Sequence, residues 1–95
     1  MADWKTIEHL EDHFGLHGRE LGCRSLDDLD RSAQQTVLQG AKFTYRDRIT
    51  NLPRVGYYHR DTARFVGTDL DGFILTHFRA DEGYGADLPY STYTD

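Results

Sequence analysis

The 95-residue chain has a single cysteine, Cys23. That excludes an internal disulfide and any cysteine-based zinc knuckle, and it suits a reducing compartment such as the cytoplasm. No apolar run approaches the roughly 20 residues that a membrane-spanning helix needs, so no membrane partner is expected. The opening "MADWKTIEHLED" is acidic and amphipathic, unlike a secretory signal. Internal repeats and low-complexity tracts are absent. Basic charge is also scarce: the net charge is −5, whereas proteins that bind nucleic acid through phosphates are usually basic. What is present is a globular composition, 38% hydrophobic and 28% charged, long enough for one domain over 1–95 with one modest core.

The charge is unevenly placed. Through Gly40 there are four Lys or Arg against eight Asp or Glu, whereas from Ala41 to Ala80 there are seven against four. From Asp81 onward there are four acids and no Lys or Arg. A basic middle between acidic ends reads either as ordinary surface charge or as a local face that meets phosphate.

Periodicity divides the chain into a helical half (1–40), a sheet (41–80) and a tail rich in Tyr and Gly (81–95). Asp3 is a candidate cap for a first helix carrying Trp4, Ile7, Leu10 and Phe14 at helical spacing, with a break at His17-Gly18. Ser25, with Asp28 three residues later, resembles a capping box. Leu26, Leu29, Ala33 and Val37 then form the stripe of a second helix, which Gly40 ends. "AKFTYRDRI" alternates as a strand does, with Phe43 and Tyr45 on one side. "RVGYYHR", "RFVGT" and "FILTHFR" follow, separated by turn signals, and Pro53 sits at a strand start where proline is tolerated. No connection is long enough for a helical crossover, so the sheet is antiparallel. The fold class is α+β: two N-terminal helices packed on an antiparallel sheet of four or five strands.

"EHLEDHFGLHGREL" sets His9, His13 and His17 four residues apart. His9 and His17 are about 12 Å apart along an ideal helix axis, so the three cannot share one ion. "HLEDH" resembles an inverted zincin motif with Asp in place of Glu, but it lacks a distal ligand. No metal and no cofactor are expected. His9 reads as helix surface, whereas His17, at a helix end beside glycine, can enter a cleft.

"HFGLHGRELGCRSLDDLDRSA" and "YYHRDTARFVGTDLDGFILTHFRADEGY" together resemble the barnase–EndoU–colicin–RelE (BECR) group of small RNases, in the form found in bacterial polymorphic and contact-dependent toxins. The order is His-Phe, His-Gly, a hydrophobic-Gly pair, Ser and Ala. An aromatic strand, a Thr turn, a Phe strand, an Asp-Gly turn, Ile-x-Thr-x-Phe, an acidic loop and Tyr follow. The resemblance spans about Leu10 to Tyr84. The chain departs from it at Tyr57, where the pattern has Arg, and at His77, where it has an aromatic.

The resemblance implies metal-independent RNA cleavage, in which the substrate's 2′-hydroxyl attacks the adjacent phosphorus. His17 would be the base or acid. Arg54 or Arg60 would be the phosphate cation, with Arg64 nearby, and Thr76 and Tyr58 would position phosphate. His13 and His77 are secondary candidates. On a regular strand His77 would face away from Thr76, and Thr76 would share its face with Ile74 and Phe78. The implied partners are RNA, for instance a structured target such as tRNA, and a cognate immunity protein or antitoxin. The alternative is a non-catalytic binding protein of the same fold: an immunity protein, an antitoxin or a phage-type inhibitor.

Overall fold

A computed structural model describes residues 2–80. Two helices, α1 (Ile7–His17) and α2 (Leu26–Gln39), precede four strands: β1 (Ala41–Arg46), β2 (Pro53–His59), β3 (Arg64–Thr68) and β4 (Ile74–Arg79). The strands form an antiparallel meander in chain order. The α+β class and the order of its halves are those expected from periodicity. The strand or loop expected in the tail lies outside the described residues.

The start of α1 differs from expectation. Thr6, not Asp3, is the N-cap: its hydroxyl accepts from the His9 N–H at 3.1 Å. Asp3 is drawn instead into a short parallel bridge beside β4. There Ile74 N donates to Asp3 O at 2.7 Å, and Lys5 N donates to Ile74 O at 2.9 Å. Trp4 therefore belongs to this extra edge segment, where it packs beside Val66 and Ile74 and its indole N–H donates to Asp30 at 3.1 Å. Covering the edge of a sheet in this way satisfies backbone groups that would otherwise be free to pair with another chain.

The Ser25 cap forms as expected. Its hydroxyl accepts from Asp28 N at 3.1 Å, while the Asp28 carboxylate accepts from Arg24 N at 3.0 Å. α2 lies over β2 and β3, and α1 lies against β4 and α2. Leu29 and Ala33 of the predicted stripe are fully buried, with Val66 and Ile74 of the sheet. Each fully buried Leu, Val or Ile contributes about 1.5–3 kcal/mol. Ser32 and Thr36, polar residues outside that stripe, are buried beside it.

The opposite face of the sheet is aromatic. Phe43, Tyr45, Tyr58, Phe65 and Phe78 cluster there with Ala80. Register places Gly56 and Gly67 opposite each other in the two central strands, and this is what admits the rings. A Cβ at Gly56 would lie 2.5 Å from the Phe43 ring, and one at Gly67 would lie 2.5 Å from the Tyr45 hydroxyl.

β3 and β4 slip register between Gly67 and Thr68, so Gly67 faces Thr76 while Thr68 faces Ile74. Leu75 is the extra residue. The slip corrects the expectation that Thr76 shares a face with Ile74. Ile74 enters the core under α2, whereas Thr76 stays on the aromatic face beside Phe78.

Candidate active site

His17 closes α1, and the chain turns at Gly18. The imidazole rests against Phe78, ring centroids 5.7 Å apart, at the β4 border of the aromatic face. Its Nδ1 lies 2.9 Å from Glu20 Oε1. A carboxylate only accepts, so Nδ1–H donates, which in the neutral ring leaves the lone pair on Nε2. The other Glu20 oxygen accepts from Arg79 N at 2.9 Å, which ties the carboxylate to the β4 edge. The carboxylate anchored on the strand thus fixes the orientation of the His17 ring, the geometry that a general base requires. Glu20 was not among the residues named from sequence, although its place three residues after His17 on a helix end is a readable signal.

Thr76 leans toward Gly67: its Cγ2 lies 2.9 Å from where a Gly67 Cβ would be. The Tyr45 hydroxyl meets the same point at 2.5 Å, so the two side chains approach each other over the glycine. Burial pushes the Tyr45 phenol up to about 12, with the charge of Arg54 acting in the opposite sense. It is therefore a neutral hydroxyl at any physiological pH. Arg54 is the register partner of Tyr45 and donates to Pro53 O at 3.1 Å. Tyr58 pairs across with Phe65, which pairs with Phe78. Tyr58 thus stands two strands, or about 10 Å, from the residue that His17 touches.

The fold therefore brings Arg54, Tyr58 and Thr76 to one sheet face and sets His17 at its border. It does not bring the other candidates there. Arg60 is exposed in the turn after β2. Arg64 and His77 belong to the opposite face, under α2. His77 is fully buried, with its Nδ1 donating to Phe65 O at 2.8 Å and Ser32 Oγ donating to its Nε2 at 2.9 Å. Burial lowers its pKa to about 4, and nearby Arg64 adds to the effect, so the ring is neutral. His13 is half-buried on α1; its Nδ1 donates to His9 O at 2.9 Å, and its pKa is lowered chiefly by burial. It contacts Trp4 on one side and His17 on the other, with centroids at 6.1 and 5.8 Å.

Among the described residues no group of three or more His, Cys, Asp or Glu is placed to hold a metal ion. No helix of the described residues is long and apolar enough to cross a membrane. A cavity of about 630 Å³ between α2 and the β3–β4 turn, walled by Val37, Leu38 and Tyr57, contains none of the candidates named from sequence. Searches of protein-family models, of curated proteins and of solved structures return no match to this chain.

Proposed function

We propose that the chain is a small metal-independent endoribonuclease of the BECR type, acting as a toxin on cytoplasmic RNA and countered by a cognate immunity protein or antitoxin. The observation that carries this reading is the Glu20-oriented His17 at the border of a sheet face bearing Arg54, Tyr58 and Thr76. His17 Nε2 takes the proton of the 2′-hydroxyl as the 2′-oxygen bonds to phosphorus and the bond to the 5′-oxygen breaks. The Thr76 hydroxyl orients the reacting phosphate, while Arg54 and Tyr58, farther from His17 on the same face, engage phosphates of the bound RNA. The leaving 5′-oxygen is protonated by solvent. A net charge of −5 restricts phosphate contact to a local surface, which favours a structured RNA such as tRNA over bulk RNA.

The test is incubation of the protein with total bacterial RNA in EDTA. Discrete fragments ending in 2′,3′-cyclic phosphate are expected, and they should vanish with His17→Ala and fall with Thr76→Ala. Intact RNA would remove the nuclease reading. One observation favours a non-catalytic binding protein instead: Tyr45 and Phe65, at the centre of the face, are buried rather than open to a ligand. Stoichiometric capture of a partner without RNA cleavage would decide for that alternative.

A further inference from the structure

Between α2, the loop before it and β3 lies a second polar site, separate from the aromatic face. A cavity of about 260 Å³ is walled there by Cys23, Asp28, Arg31, Ser32, Gln35 and Arg64. Arg64 is the half-buried cation of its wall. One guanidinium nitrogen donates to Ser32 Oγ at 2.8 Å and the other to Leu21 O at 2.9 Å. Both acceptors are neutral, and among the described residues no carboxylate lies within ion-pair distance of this half-buried cation. A guanidinium has five N–H donors in a fixed fork, so donors remain beyond these two bonds.

The cation is also held in place from behind. Ser32 is fixed by His77, and His77 by the Phe65 carbonyl, so Arg64 is braced by a chain of hydrogen bonds that ends in the sheet. Its cross-strand partner is Arg79, a second cation and not a counter-ion. Asp28 is the acid on the rim, and it is engaged: its carboxylate accepts from Arg24 N at 3.0 Å and stands 4.0 Å from Arg31. A partly desolvated charge without a counter-ion among the described residues is costly, and a bound anion removes that cost.

We propose that this cavity is a binding site for a small tetrahedral oxyanion of the phosphate class. Arg64 is the main contact, and Arg31 and Gln35 close the rim. The volume is below the range of drug-sized pockets and suits an ion or a single phosphate group. The site stands apart from the proposed nuclease face and does not depend on that reading.

The test titrates inorganic phosphate, and separately adenosine monophosphate, into the full chain at constant ionic strength, read by calorimetry and by amide and Arg Nε–H shifts. Saturable binding is expected, with shifts centred on Ser32, Gln35 and Arg64. Arg64→Gln should weaken it on the order of tenfold. Because Arg64 also braces the fold, Arg31→Ala and Gln35→Ala, both at exposed positions, provide the second measurement, with a several-fold loss each. Phosphate binding alone assigns the source to the free ion. Binding of the nucleotide with the same shifts and no response to free phosphate assigns it to a phosphate borne on a nucleotide. The site is overturned by absence of saturation with either probe up to roughly 10 mM. Shifts located elsewhere, or unchanged affinity in folded Arg64→Gln, Arg31→Ala and Gln35→Ala proteins, would overturn it equally.

Discussion

Under α2, the sheet meets small side chains. Ala33 sits on Val66 and Ile74, and the close approach leaves Ser32 and Thr36 buried next to His77. On the other side Phe43, Tyr45, Phe65 and Phe78 stand ring against ring, with centroids 5.1 to 6.0 Å apart. One face is thus defined by a polar network that must be satisfied at every atom, and the other by volume and shape. The two should fail differently. Loss of volume damages the aromatic face at any pH, whereas the helix face is sensitive to protons.

The largest effect is expected from emptying the aromatic face. Phe65 is 1% exposed and touches Phe43, Tyr45 and Phe78. Phe65→Ala should cost about 3–5 kcal/mol, because the neighbouring rings cannot close over the space. Urea unfolding measures it, and the loss should be the same at pH 5 and pH 7.5. A change below 1 kcal/mol would mean that the rings do not form one packed layer.

The helix face should show the opposite behaviour. Burial holds His77 neutral down to about pH 4, whereas in the unfolded chain it takes up a proton near 6.5. Between those values the unfolded state binds more protons, so acid favours unfolding. The contribution is complete above pH 6.5 and is lost as pH falls toward 4, by about 3 kcal/mol over the window. His13, lowered chiefly by burial, acts in the same sense. Asp47, whose carboxyl is held low chiefly by the Thr50 N–H, loses its contribution only at lower pH. His77→Gln should flatten most of the slope between pH 4.5 and 6.5 while lowering stability at pH 7. If the slope persists in that variant, His77 is not the group responsible.

A smaller effect tests the trough between the two glycines. Gly67→Ala would bring a methyl to 2.5 Å from the Tyr45 hydroxyl and 2.9 Å from Thr76 Cγ2. A cost of about 1–3 kcal/mol is expected. Because the closest atom is the Tyr45 oxygen, the same change in a Tyr45→Phe background should cost less. Additive double-mutant energies would show that the phenol does not reach over Gly67.

These contrasts also show what the sequence makes legible. The four strands follow from period-two alternation between strong turns. "DLDG" becomes the turn in which Gly72 takes φ 93°, a value glycine adopts without strain. Pro53 starts its strand because that position asks for no interior ladder bond. The start of α1 is not legible from local pattern, because Asp3 and Thr6 are both competent caps. A tertiary contact, the pairing of Asp3 and Lys5 with Ile74, decides between them. The extra residue at Leu75 has no local signature, yet it alone puts Ile74 and Thr76 on opposite faces. The buried Ser32 was equally invisible, since its partners Arg64 and His77 lie 32 and 45 residues away. Of the candidate site, His17, Tyr58, Thr76 and Arg54 could be named from local pattern and resemblance, whereas Glu20 acquires its role only when Arg79 is brought beside it.

The smallest effect lies at the sheet edge, which belongs to neither face. Lys5 Nζ is 3.0 Å from Asp69, but the lysine side chain is 44% exposed. Solvent and salt screen such a pair, and the long side chain loses rotamer freedom in making it. Burial works against ionisation of Asp69, yet the N–H groups of Phe73 and Asp71 together with Lys5 hold its carboxyl below the ordinary value. The N–H bonds are local and shape the turn at 2.9 and 3.0 Å, whereas Lys5 adds only a screened charge. Lys5→Ala should therefore cost about 0.2–1 kcal/mol and no more at high salt. Asp69→Ala should cost more than Lys5→Ala, because it also strands the turn amides. Equal costs for the two variants, measured by thermal unfolding at low and high salt, would place the edge in the ion pair rather than in the turn.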